Sequence, residues 1–238
     1  MRSDAREIYG ALYTALAAQW LAVGLDAHYV RVPAGDRTAL ATWFALGFGH
    51  DATLAVRDTS PIATSPPVSV RQATIADADV LEEQAVAILD AMTATPMCLP
   101  PPPDGARAAL RAWIAELLAE PTLAQWVALR GSEVVGMQLF DSSDHHLAAL
   151  STPEQAIYLL GAYTTPAVRG QGVGGALLAR SLEWARDAGH PWCVLDYLPA
   201  NPGGARFWER YDFQPLVYRL CRQLDARVLH GWQEIRSR

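Results

Sequence analysis

Residues 169–175 read Arg-Gly-Gln-Gly-Val-Gly-Gly and lie between an apolar strand-like run and an apolar helical run. Without side chains at Gly170, Gly172 and Gly174, successive main-chain N–H groups can approach an anion and cradle a pyrophosphate at a helix N-terminus. The helix dipole and the open amides of the first turn favour the anion, and Arg169 can add a charge-assisted contact. The chemistry implied is the grip on a phosphorylated coenzyme.

Two coenzyme classes fit that turn. Gly170, Gly172 and Gly175 also spell the dinucleotide fingerprint, with Asp196 about 20 residues further on. Three features weigh against a nicotinamide coenzyme. The first Gly follows a Thr-Thr-Pro-Ala-Val-Arg stretch and not a strand end, only 42 residues remain after Asp196, and an antiparallel hairpin comes just before the strand. A P-loop is excluded outright, because all 19 basic residues are arginine and its phosphate-gripping lysine has no counterpart.

The elements that position the turn follow from periodicity. A strand is expected over 157–164, and the helix after the turn ends near Gly189. Upstream come a short strand over 68–72, a helix from Asp77 to about Ala91, a Pro-rich loop over 96–103 and a helix capped by Asp104 and running to Ala119. Runs 125–130 and 133–140 flank Gly131-Ser132, a hairpin signal. Downstream lie a strand over 192–198, a helix over 201–211 and a closing strand over 215–224. Together they predict a mixed α/β (α+β) sheet.

The N-terminal part has its own pattern. Ile8, Leu12, Leu16 and Trp20 mark a helix over 4–23 that stops at Gly24, followed by a strand over 28–32. A helix capped by Asp36 runs through Trp43 to Gly47, and a strand spans 53–57. Residues 58–67 have a linker's composition. Shifted by 165 residues, Gly24 meets Gly189, Asp36 meets Asn201, Trp43 meets Trp208 and Phe48 meets Phe213, without a gap. The expected organisation is a degenerate half-repeat at 1–57, a linker at 58–67 and a complete domain at 68–238. The half-repeat lacks a counterpart of the strand and turn at 157–175, so it cannot hold the coenzyme alone. It should dock on the second unit or on another subunit, which leaves a homodimer open.

Of the 238 residues, 51% are hydrophobic and 18% charged, with a net charge of −6. That balance suits a globular protein and argues against a nucleic-acid surface. No apolar stretch reaches the roughly 18–20 residues of a membrane span, and the N-terminus shows no signal peptide, so no membrane partner and a cytoplasmic location are expected. Cys98, Cys193 and Cys221 have no metal-ligand spacing, and the adjacent His145 and His146 form no zinc motif; no metal is expected.

A second motif closes the chain: Asn201, Ala205, Phe207-Trp208 and Asp212-Phe213. With the Arg169 signature, and in element order, residues 68–224 resemble the GNAT superfamily of N-acetyltransferases. The resemblance implies a mostly antiparallel, twisted sheet flanked by helices, and acetyl-CoA as co-substrate. By the same resemblance, backbone groups of Ala162, Tyr163 and Thr164 pair with the pantetheine arm, and Arg169, Gly170, Gln171, Gly172, Val173, Gly174 and Gly175 hold the pyrophosphate. Asn201 hydrogen-bonds the coenzyme, Trp208 borders it, and a splay between 157–164 and 192–198 admits the thioester.

For the general base the resemblance points to Asp196, which stands where ribosomal-protein alanine acetyltransferases carry a Glu; Glu154 is a second candidate. Many family members carry an acid Tyr where this chain has Trp208. Trp208 cannot protonate the leaving thiolate, and Tyr211, one helical turn on, is the substitute to consider. The expected function is acetyl transfer to a primary amine of a small molecule or a protein. A non-catalytic acyl-CoA-binding or regulatory module is the alternative, and a nicotinamide oxidoreductase the third reading.

Overall fold

In this computed structural model, which describes residues 5–64, 68–143, 152–225 and 227–228, helix ends fall at glycines and acid caps. The N-terminal run forms α1 (Ala5–Ala22), β1 (Ala27–Pro33), α2 (Arg37–Ala45) and β2 (Gly49–Asp58). Then come β3 (Ser69–Gln72), α3 (Ala78–Thr93), α4 (Ala106–Ala119), β4 (Leu123–Arg130) and β5 (Glu133–Asp141). The chain continues with β6 (Ala156–Thr164), α5 (Val173–Asp187), β7 (Trp192–Tyr197), α6 (Pro202–Arg210) and β8 (Gln214–Gln223). His145 and His146 lie outside the described residues.

By contacts the chain divides into two compact units. The first takes the described parts of Met1–Ala55, Tyr197–Ala205 and Pro215–Arg238; the second takes Val56–Asp196 and Arg206–Gln214. In the first, the strand order is β1-β8-β2, with β1 antiparallel to β8. Its core is aromatic: Tyr13, Trp43 and Phe48 meet edge to face over Val32 and Leu220. The buried His28 bonds Tyr13 Oη at 2.9 Å and Leu25 O at 3.1 Å, so both ring nitrogens have partners.

The second unit runs β7-β6-β5-β4-β3, antiparallel except for the parallel pair β6 and β7. The mixed, mostly antiparallel sheet with flanking helices is the architecture the sequence implied. One face packs α3 and α4 through Leu81, Leu110, Ile114, Val127 and Met137. The other face carries α5, where Gly136 is needed: a Cβ there would meet Tyr163 O at 2.8 Å and Leu177 at 3.3 Å. The start of α3 differs from expectation. Asp77 closes a 3-10 turn (Ile75–Asp77) by accepting from Thr74 N–H, and it grips Arg71 through both carboxylate oxygens. Likewise α4 starts from Gly105, at φ +83°, and not from an Asp104 cap.

Two segments agree position by position at the 165-residue shift. Shifted by 165, the bounds of α2 fall on those of α6 and the bounds of β2 on those of β8, and the end of α1 falls on the end of α5. Asp36 Oδ1 accepts from Ala39 N–H at 2.9 Å, and Asn201 Oδ1 from Gly204 N–H at 3.1 Å. Phe48 N–H donates to Trp43 O at 3.1 Å, and Phe213 N–H to Trp208 O at 3.2 Å. Both Trp–Phe pairs are edge to face, with ring centroids 5.0 and 5.5 Å apart.

Residues 59–64, within the expected linker, are held in the second unit. Thr59 N–H donates to Pro191 O, its hydroxyl to His190 O, and Arg186 donates to Thr59 O. Arg57, buried, donates to the carbonyls of Asp58, Ser60 and Tyr211.

Candidate active site: a strand edge, a glycine turn and a carboxylate

The site begins with an interrupted ladder. β6 pairs with β7 from Ala156 with Trp192 to Leu159 with Leu195, and there the pairing ends while β6 runs on to Thr164. A register shift against β5 makes Leu160 the extra residue of a bulge, since Leu139 pairs with Gly161 and Phe140 with Leu159. Bulges bend strands and end pairing, so this one opens the β6 edge where the thioester slot was expected.

Which main-chain groups face that edge follows from parity. Thr165 N–H donates to Val135 O at 2.9 Å, which makes 165 with 135 a hydrogen-bonded pair in register with Thr164 opposite Gly136. Alternation along an antiparallel ladder then turns the N–H and C=O of Ala162 and Thr164 away from β5, and those of Tyr163 toward Met137. Ala162 and Thr164 can therefore pair with an extended arm. Tyr163 instead adds its ring to the α3/α4 core.

Past Thr164 the chain makes a 3-10 turn (Pro166–Val168) and then the glycine segment. Gly170 and Gly172 have φ of +75° and +83°, a left-handed backbone that favours glycine. Gly174 and Gly175 serve another purpose. A Cβ on Gly174 would sit 3.0 Å from the Phe207 ring, and one on Gly175 would run into the Tyr211 hydroxyl. The Tyr211 hydroxyl therefore packs on the first turn of α5. The amides of Val173, Gly174 and Gly175 open that turn, where no intrahelical acceptor reaches them. Arg169 is exposed, anchored by Nε to Thr164 O at 3.0 Å and lying over the Tyr163 ring.

Gln171 is held by its own turn, donating to Ala167 O at 3.1 Å, and Arg130 donates to its Oε1 at 2.7 Å. Asn201 spends its Oδ1 on capping α6. Trp208 is buried against Phe207 and Phe213, a packing role.

Asp196 is exposed near the end of β7, and Tyr158 on β6 donates its hydroxyl to Asp196 Oδ2. Tyr158 is also the cross-strand partner of the buried Asp141, whose Oδ1 accepts from Ser143 N–H at 2.7 Å. Cross-strand partners share a face, and alternation from Gly136 puts this row opposite α5, on the α3/α4 side. Glu154 is exposed at the other end, before β6 begins, where the neighbouring Gln155 O meets His190 Nδ1. The structure thus brings Asp196 near the open edge and leaves Glu154 far along the strand. Tyr158, Asp141 and Arg130 were missed by sequence reasoning.

Cys193, the one thiol on these strands, is fully buried, and burial pushes it up to about 12, so it offers no nucleophile. Among the described residues, no cluster of three or more His, Cys, Asp or Glu side chains is gathered as for a metal. No described helix is long and apolar enough to cross a membrane.

The site is thus a strand edge opened by a bulge that leads into a glycine-rich helix start in a mixed α/β fold. The chain belongs to the GNAT acetyltransferase family, whose sequence model matches residues 89–213. No curated protein sequence matches it. Among solved structures it is similar to the aminoglycoside N-acetyltransferase AAC(6')-Iy in complex with CoA, at 16% identity and TM-score 0.52, covering 65% of this chain and 93% of that one. The same enzyme with a bisubstrate analogue gives 19% identity and TM-score 0.51, covering 63% and 92%. A functionally unknown conserved protein from Staphylococcus epidermidis is similar over more of this chain, 92%, and 81% of its own, at 14% identity and TM-score 0.54. At these identities the likeness concerns the fold.

Proposed function

We propose that this chain transfers an acetyl group from acetyl-CoA to a primary amine of a small molecule. The observation that carries the reading is the β6 edge: it loses its partner at Leu159, presents Ala162 and Thr164, and leads directly into the amides of Val173, Gly174 and Gly175. An extended pantetheine arm adds to that edge as a strand would, and the diphosphate meets the helix start. The outward N–H of Ala162 is the donor placed to polarise the thioester carbonyl.

The amine nitrogen attacks the carbonyl carbon, the C–N bond forms and the C–S bond breaks. The proton shed by nitrogen goes to Asp196 Oδ1, since Oδ2 accepts from Tyr158. The thiolate takes its proton from solvent, because the indole N–H of Trp208 is far too weak an acid to give one up and the Tyr211 hydroxyl packs on Gly175.

The 165-residue correspondence supports this division of roles. We read 1–57 as a degenerate copy of the second half of the domain. What the two copies share, the caps at Asp36 and Asn201 and the Trp–Phe pairs, serves the fold. What only the second has serves transfer: Glu7 stands where Gly172 would be, and Arg31 where Asp196 would be.

Thiol release from acetyl-CoA, measured over a panel of small amines and peptide N-termini, tests the reading. Turnover on at least one small amine is expected. Coenzyme binding without release on any acceptor would favour the non-catalytic module, and release on peptides alone would move the acceptor to proteins.

A further inference from the structure

The tip of the β4–β5 hairpin is tied to the glycine turn at two places. A register shift after Ala128, which pairs with Gly136 while Leu129 pairs with Val134, leaves Val135 as a bulge residue. The carbonyl of Val135 accepts the N–H of Thr165, the residue that leads into the turn. At the tip itself, Arg130 Nη2 donates to Gln171 Oε1 at 2.7 Å, across 41 residues of sequence. Gln171 is fixed in turn by its bond to Ala167 O.

A hairpin-tip arginine has an ordinary partner at hand, its cross-strand neighbour Glu133. Among the described residues, Arg130 makes no ion pair with it and reaches the neutral Gln171 instead. One guanidinium donor is used on Gln171, and the fork has four more N–H groups. Arg130 and Arg169 thus flank the same turn from two elements, beside amides that already favour an anion.

We infer that Arg130 is a phosphate-binding residue of the coenzyme site, held ready by Gln171. The inference rests on the coenzyme reading above. Its ligand is a phosphate of coenzyme A, and the coenzyme carries two sources: the diphosphate and the 3′-phosphate. A planar guanidinium meets either with paired N–H···O bonds, and such charge-assisted contacts are the strong ones.

The experiment measures calorimetric affinity of the full chain for CoA and for 3′-dephospho-CoA, in wild type, Arg130→Gln and Gln171→Ala. Arg130→Gln should weaken CoA binding about tenfold or more, as expected for a lost hydrogen bond to a charged group. Gln171→Ala, which keeps the charge and removes the strut, should weaken it less. If the Arg130→Gln loss persists with dephospho-CoA, the contact is the diphosphate; if it disappears, the contact is the 3′-phosphate. Arg130→Gln binding CoA within twofold of wild type, with an unchanged unfolding midpoint, overturns the inference. Wild type binding neither ligand overturns the coenzyme reading itself, a distinct result.

Discussion

Tyr158 donates its phenol hydroxyl to Asp196 Oδ2, joining β6 to β7 at the place where their main-chain ladder ends. The side-chain bond takes over where the backbone bonds stop, so Oδ2 of Asp196 is fixed beside the open edge while Oδ1 takes no part in that bond. If Asp196 is the base, Asp196→Asn lowers kcat by about 100-fold or more, the usual scale for a positioned general base, with the acetyl-CoA KM within about twofold. Tyr158→Phe keeps the carboxylate and loses its fixed direction, so kcat falls by about tenfold and the coenzyme KM holds. Steady-state kinetics on the best amine from the panel decide it. Equal kcat for Asp196→Asn and wild type removes Asp196 from the mechanism.

The two glycines at the start of α5 make a packing prediction. Gly175 accommodates the Tyr211 hydroxyl where a Cβ would be. Gly175→Ala overpacks that contact and costs about 1–3 kcal/mol, read from urea unfolding. Tyr211→Phe removes the colliding oxygen. The Gly175→Ala/Tyr211→Phe double variant should therefore be less destabilised than the sum of the single changes, by about 0.5 kcal/mol or more. Strict additivity would mean that the two groups do not meet.

Asp77 gives a pH prediction. The Arg71 guanidinium beside it, with the Thr74 N–H, holds its carboxyl down at about 2, below the ordinary 3.8. A depressed carboxylate contributes stability above its unfolded pKa and loses it as pH falls through the folded one. The window therefore lies between about pH 4 and pH 2. The shift corresponds to about 2 kcal/mol, reduced toward about 1 because Arg71 is partly exposed. Asp77→Asn should be less stable than wild type by about that amount at pH 7, with the gap closing by pH 2. A gap of constant size across that range would assign the effect to the hydrogen bonds alone.

What was legible in the sequence was local. Gly24 and Gly189, the Asp36 cap, the Gly131-Ser132 hairpin and the glycine turn are signals read within a few residues, and each sits where its element ends or turns. Three residues beside the candidate site were not legible, for one physical reason. Tyr158 meets Asp196 through the parallel register that sets Tyr158 opposite Val194, and Asp141 shares its face because the bulge at Leu160 shifts the β5–β6 pairing by one residue. Arg130 meets Gln171 across the joint that Val135 makes with Thr165. Register and bulges are set by pairing between strands, and no short window of sequence carries them. The reason for Gly174 and Gly175 was equally hidden, since it lies in Phe207 and Tyr211 on the following segment.

Asn201 separates a fold role from a coenzyme role. Its Oδ1 caps α6 by accepting Gly204 N–H, as Asp36 caps α2 at the corresponding position 165 residues earlier. An aspartate serves as well as an asparagine at an N-cap, whereas alanine leaves the amide open at a cost of about 1 kcal/mol. Asn201→Ala should therefore lower stability by about 1 kcal/mol and Asn201→Asp should not, as read by urea unfolding. The coenzyme readout is independent. An Asn201 side chain that only caps leaves the acetyl-CoA KM of Asn201→Asp within about twofold of wild type, whereas one whose amide donates to a phosphate loses that donor and sets a carboxylate against the anion. A rise in KM of tenfold or more in Asn201→Asp, with the unfolding midpoint unchanged, would return Asn201 to the coenzyme site.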